Sequence, residues 1–131
     1  MWRKWLKYRL ESEKKFKKGF DKFIDKLFAK YRGKFTLILF GSRAVNRHHI
    51  WSDFDLLLIL EKFDEDNLFR RINKLVNELK PNFPINLIPL TPDEFKESYR
   101  HGSVIIKEAL RNGKIIHDGL GLLNKLNSGL C

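Results

Sequence analysis

The stretch LFGSRAVNRHHIWSDFDLLLIL, residues 39 to 60, places a Gly-Ser step and two aspartates between two apolar runs. The run after Asp55 is continuous instead of alternating, which predicts a strand buried on both faces. KFTLILF, residues 34 to 40, predicts a second such strand, with Gly41-Ser42 turning it into a short helix. Ligands of open α/β sheets sit beyond the carboxyl ends of strands, where such turns lie. A helix start offers unpaired backbone N–H groups to a phosphate. Gly41 lets the phosphate come close, Ser42 adds a hydroxyl donor, and Arg43 and Arg47 are spaced to add charge-assisted contacts.

Asp53 and Asp55 give that cradle its meaning. Residues i and i+2 of a strand project from the same face. Two carboxylates held together are unfavourable without a cation between them. Mg²⁺ (or Mn²⁺) suits the pair, because it is held by one or two carboxylates plus substrate phosphates. His48 and His49 lie in the intervening loop, where a solvated histidine is the commoner case. Trp51 is read as a packing aromatic before a base-stacking one.

Working outward, Phe16, Phe20, Phe23, Ile24, Leu27, Phe28 and Tyr31 recur at helical spacing and predict a helix ended by Gly33. Trp2, Trp5 and Leu6 extend the stripe upstream, with Ser12 a point where it breaks. DEDNLFRRINKLVNELK, residues 64 to 80, predicts an amphipathic helix with acids in its first turn. INLIPL predicts a third strand, Thr91-Pro92 a capped helix start, and SVIIKEALRNG a helix between Ser103 and Gly113. KIIHD predicts a closing strand, and the tail from Gly119 has no clear period. Strands alternate with helices, so the expected class is α/β (α+β): a small mixed sheet of about four strands flanked by helices. The expected organisation is a basic helix over 1–33, packed on or appended to a domain over 34–118, then a loose tail over 119–131.

The chain has 131 residues, 43% of them hydrophobic, enough for one compact core. Leu56 to Leu60 is the longest strongly apolar run, far short of the roughly 20 residues of a membrane span. The single cysteine, Cys131, has no partner for an intrachain disulfide, and a reducing cytoplasm is expected. His101 and His117 lack the companions of a zinc site. Of the net charge of +10, residues 1–34 supply +9, from 13 Lys/Arg less 4 Asp/Glu. That asymmetry fits either a nucleic-acid-binding element or a solvated helix face. The apolar stripe also leaves room for homo-oligomers.

Gly41-Ser42, ten residues, then Asp53-Phe54-Asp55 resembles the GS-x10-DxD signature of the nucleotidyltransferase superfamily that includes DNA polymerase beta. The chain is similar in size to the minimal nucleotidyltransferases of archaea and bacteria, often paired with HEPN-domain proteins as toxin–antitoxin systems. The resemblance covers roughly residues 34–118. It implies that Gly41 and Ser42 hold an NTP's terminal phosphates. It also implies that Asp53 and Asp55 are catalytic and bind two metal ions for nucleoside monophosphate transfer to a hydroxyl. The family's third carboxylate falls at Asn86, which is uncharged and no base at neutral pH. Asp93 and Glu94 are nearby acids, read as first-turn residues of the next helix. The resemblance therefore implies retained nucleotide binding with impaired transfer. Two other readings stay open: a weakly catalytic, antitoxin-like partner of a HEPN-type protein, and a basic nucleic-acid-binding module.

Overall fold

A computed structural model describes residues 2–47 and 52–123. His48, His49, Trp51 and the tail from 124 onward lie outside the described residues. The elements are α1 (Trp2–Tyr31), β1 (Thr36–Phe40), β2 (Phe54–Ile59), α2 (Leu68–Leu79), β3 (Ile85–Leu90), α3 (Pro92–Arg100), α4 (Val104–Asn112) and β4 (Lys114–Asp118). The four strands form one mixed sheet in the order β3-β2-β1-β4. β1 is antiparallel to β2 and β4, whereas β2 and β3 are parallel.

Both faces of the sheet are covered, which is why its central strands read as unbroken apolar runs. Leu37, Leu39, Leu56 and Leu58 turn toward α1 and α2, where they meet Phe20, Phe23, Leu27, Leu75 and Leu79. Ile38, Phe40, Leu57 and Ile59 turn toward α3 and α4, meeting Phe95, Ile106 and Ala109. Each such buried side chain contributes about 1.5–3 kcal/mol. A one-residue slip of β2 would exchange the two cores and turn Asp55 inward, so burial fixes the register.

α1 runs 30 residues without a break at Ser12. Its second half is anchored in the core, and Lys26 Nζ donates to the Leu79 carbonyl at 2.8 Å while Lys30 pairs with Glu78. The helix ends through Arg32 at φ 54° and Gly33 at φ 79°. α2 begins later than the sequence predicts. Asn67 is its N-cap, taking the Arg70 N–H at 2.9 Å, so Asp64, Glu65 and Asp66 precede the helix and its first turn holds no acid. α3 opens with the expected cap: the Glu94 N–H reaches Thr91 Oγ1 at 3.2 Å, and the Thr91 N–H reaches Glu94 Oε1 at 2.8 Å. Among the described residues no helix is long and apolar enough to cross a membrane.

Candidate functional site

The antiparallel pairing of β1 and β2 sets Phe40 opposite Asp55, so the chain leaving β1 at Gly41 passes directly over that carboxylate. Gly41 sits at φ 74°, and a Cβ there would collide with Asp55 Oδ2. Only glycine meets both conditions, the left-handed backbone and the close approach. The expected helix after Ser42 is instead a run of turns over residues 42–46. In it the Ala44 N–H bonds the Gly41 carbonyl at 3.1 Å, the Arg47 N–H bonds the Ser42 carbonyl at 2.9 Å, and Asn46 at φ 56° interrupts any helical path. A cradle here therefore consists of turn N–H groups and the Ser42 hydroxyl, without a helix macrodipole behind them.

Strand alternation explains the Asp-Phe-Asp pattern. Phe54 is 6% exposed and points into the α1 side, stacking on Phe20 at 5.1 Å and meeting Phe83 at 4.8 Å. That anchoring throws the neighbouring Asp53 and Asp55 to the opposite face, where Asp53 is exposed and Asp55 half-buried. The parallel β2–β3 ladder then places Asn86 directly beside Asp55. Asn86 is exposed, and its Nδ2 donates to Asp55 Oδ1 at 3.0 Å. Gly41, Asp55 and Asn86, three separate predictions from sequence, thus converge on one carboxylate.

The two arginines part company. Arg47 is exposed at the end of the turns. Arg43 is 6% exposed and lies over the Phe54 ring at 4.0 Å, on the side of β2 away from the carboxylates. Its Nε donates to the Ser52 carbonyl at 2.9 Å, and NH1 reaches Glu13 of α1 at 3.5 Å. The expectation of Arg43 at a phosphate gives way to a brace that ties the Gly41–Arg47 loop, the approach to Asp53 and α1 together. No local sequence signal marks this role, because the ring of Phe16 and the carboxylate of Glu13 reach Arg43 only through the tertiary fold.

Asp93 and Glu94 belong to the first turn of α3, at the opposite end of β3 from Asn86, roughly 16 Å of strand away. Glu94 is also occupied there. Burial alone would push its carboxyl up, but the hydrogen bond from Arg71, the bonds to Thr91 and the Arg71 charge outweigh burial and hold it below its ordinary value. The Arg71–Glu94 contact is 2.6 Å. His117 is drawn inward as well, its Nε2 2.8 Å from the Gly33 carbonyl and its ring against Phe28 and Phe35.

The donor set discriminates between one metal ion and two. Among the described residues no group of three or more His, Cys, Asp and Glu stands ready to hold an ion. Two carboxylates on one face fit a divalent ion that brings phosphate oxygens with it. They lack the third anionic ligand that a second, nucleotide-independent ion would need.

Comparison with known proteins places the chain in a family. The family model described as "Nucleotidyltransferase domain" matches residues 13–116. The fold is similar to that of a putative nucleotidyltransferase from Sulfolobus solfataricus, at 18% identity and a TM-score of 0.54, over 82% of this chain and 84% of that one. It is also similar to a toxin–antitoxin structure with AMP-PNP, at 21% identity and a TM-score of 0.49, over 82% and 84%. A search of curated proteins gives no match. With the match extending from α1 into β4, the chain belongs to the nucleotidyltransferase domain family.

Proposed function

We propose that the chain binds an NTP together with a divalent cation at the Gly41–Ser42 turn and the Asp53/Asp55 face, and transfers its nucleotidyl group poorly. The observation that carries this reading is the Asn86–Asp55 hydrogen bond at 3.0 Å, because it joins the third family position to the metal-facing carboxylate as a neutral donor. Gly41, Ser42 and Arg47 receive the phosphates, and Arg43 acts indirectly by holding the loop. Asp53 and Asp55 hold Mg²⁺ (or Mn²⁺), which when bound supplies charge neutralisation to the phosphates. Asn86 cannot take the acceptor's proton at neutral pH, so the step that needs a base is left without one.

Within this reading the hydroxyl acceptor, or the regulated partner if transfer is negligible, is a HEPN-type protein of the kind paired with similar small nucleotidyltransferases. Leu6 and Leu10, 42% and 55% exposed on α1, offer apolar surface for such a contact. Titration calorimetry of ATP with and without Mg²⁺ tests the site. Metal-dependent binding is expected in the parent and lost in the Asp53→Ala/Asp55→Ala double variant. Unchanged metal-dependent binding in that variant would overturn the assignment.

A further inference from the structure

The surplus positive charge of this chain is organised geometrically by α1. At 3.6 residues per turn, Lys4, Lys7, Lys14, Lys15, Lys18 and Lys22 fall within one arc of about 100°. All six are exposed. Among the described residues none of the six has a salt bridge, whereas Lys26 and Lys30, further along, are tied to α2. The arc lies opposite the face that carries Phe20, Phe23 and Leu27 into the core. From Lys4 to Lys22 it spans roughly 27 Å, at 1.5 Å per residue. Within that span the only acid on the arc is Glu11, and no apolar residue interrupts it.

The length and chemistry of this stripe select its partner. A single nucleotide is far shorter than 27 Å and already has the carboxylate site. A membrane surface needs a continuous apolar face opposite the lysines, but Arg9, Ser12 and Glu13 interrupt that face of α1 before it becomes buried in the domain from Phe20 onward. A protein interface needs buried apolar anchors at its centre, which the arc does not contain. A run of single-sign charge without anchors matches a regularly spaced polyanion, and a nucleic-acid strand presents a phosphate about every 3.4 Å.

The geometry points to α1 as a sequence-independent docking rail for the phosphodiester backbone of a nucleic acid, a binding function separate from nucleotide binding at Asp53 and Asp55. The rail contacts backbone phosphates and reads no bases. Glu13, which meets Arg43 of the loop, lies on the far side of α1 from the lysines, so the rail is a surface apart from the nucleotide site.

Fluorescence anisotropy with a labelled 20-base-pair DNA duplex and a labelled 20-nucleotide RNA tests this on the full chain. With about five phosphates neutralised, affinity for the duplex falls roughly 10²- to 10³-fold between 50 and 200 mM salt. Lys14→Glu/Lys18→Glu/Lys22→Glu is expected to weaken binding at least tenfold at 50 mM salt. Lys62→Glu/Lys107→Glu/Lys114→Glu changes net charge equally elsewhere and is expected to weaken it less than threefold. Circular dichroism and the ATP titration on both variants confirm that the domain is intact. The rail is overturned if the α1 variant binds like the parent, if both variants lose equally, or if binding is insensitive to salt. Saturable binding to phosphatidylserine vesicles with no nucleic-acid binding at low salt also overturns it.

Discussion

Asn86 donates its amide to Asp55 across the parallel β2–β3 pairing, at 3.0 Å. A carboxylate at position 86 would instead face Asp55 as a like charge at hydrogen-bond range. The neutral amide therefore avoids that repulsion, and under the proposed function it does so at the expense of an anionic ligand.

The Asn86→Asp variant separates those effects. Without metal it is expected to melt below the parent, by about 1 kcal/mol of lost stability, since like-charged neighbours in a sheet repel. With Mn²⁺ the order reverses, because three carboxylates now converge on the ion. Thermal melts with and without Mn²⁺ measure this, and labelled NTP with a competent acceptor should show increased transfer. An equal Mn²⁺ shift in parent and variant would show that position 86 does not face the metal.

Gly41→Ala tests the close approach of the loop to Asp55. The left-handed backbone at φ 74° costs an alanine roughly 1–2 kcal/mol, and its Cβ must displace the Asp55 carboxylate. We expect a folded protein, less stable by about 2 kcal/mol, with nucleotide affinity reduced at least tenfold. Reduced stability with unaltered ATP binding would disconnect the loop from the site.

The strand geometry around the candidate site is legible in the sequence because its information is local. The β2 register follows from Asp55 standing at the head of five apolar residues, whereas Asn86 is singled out only by the resemblance to the family's third-carboxylate position. The segment after Ser42 is a run of turns where the sequence predicts a short helix, since left-handed Asn46 and the internal capture of Arg43 are set by tertiary contacts. α2 starts later than the sequence predicts for a related reason: three acids resemble a helix's first turn, yet the Asn67 side chain is the cap. Pairings such as Arg43–Glu13 and Arg71–Glu94 join residues far apart in sequence, and no periodicity encodes them.

Arg43 offers a test of bracing against direct ligand contact. Its planar group covers the Phe54 ring while donating to Ser52, and a lysine ammonium cannot reproduce both. Arg43→Lys is therefore expected to lose about 2 kcal/mol in urea denaturation, nearly as much as Arg43→Ala. A direct phosphate contact would behave differently: lysine would largely restore ATP affinity, with little effect on unfolding in the absence of ligand.

Glu94 ties α3 to α2 through Arg71, which is 6% exposed, and its lowered pKa makes that tie dependent on pH. A carboxyl whose folded pKa lies below its ordinary 4.5 adds stability that is complete above 4.5 and lost as pH falls through the folded value. Glu94→Gln keeps the shape and removes the titration. At pH 7 the variant should be less stable by about 1 kcal/mol, a modest figure because the Glu94 side chain is 43% exposed and solvent screens the pair. The two proteins differ only at this side chain, so the difference between their melting curves reports on Glu94. That difference should shrink steadily below pH 4.5 and vanish once Glu94 is protonated in the folded parent. A gap that stayed constant down to pH 2 would assign the loss to helix capping, with no contribution from the charge on Glu94.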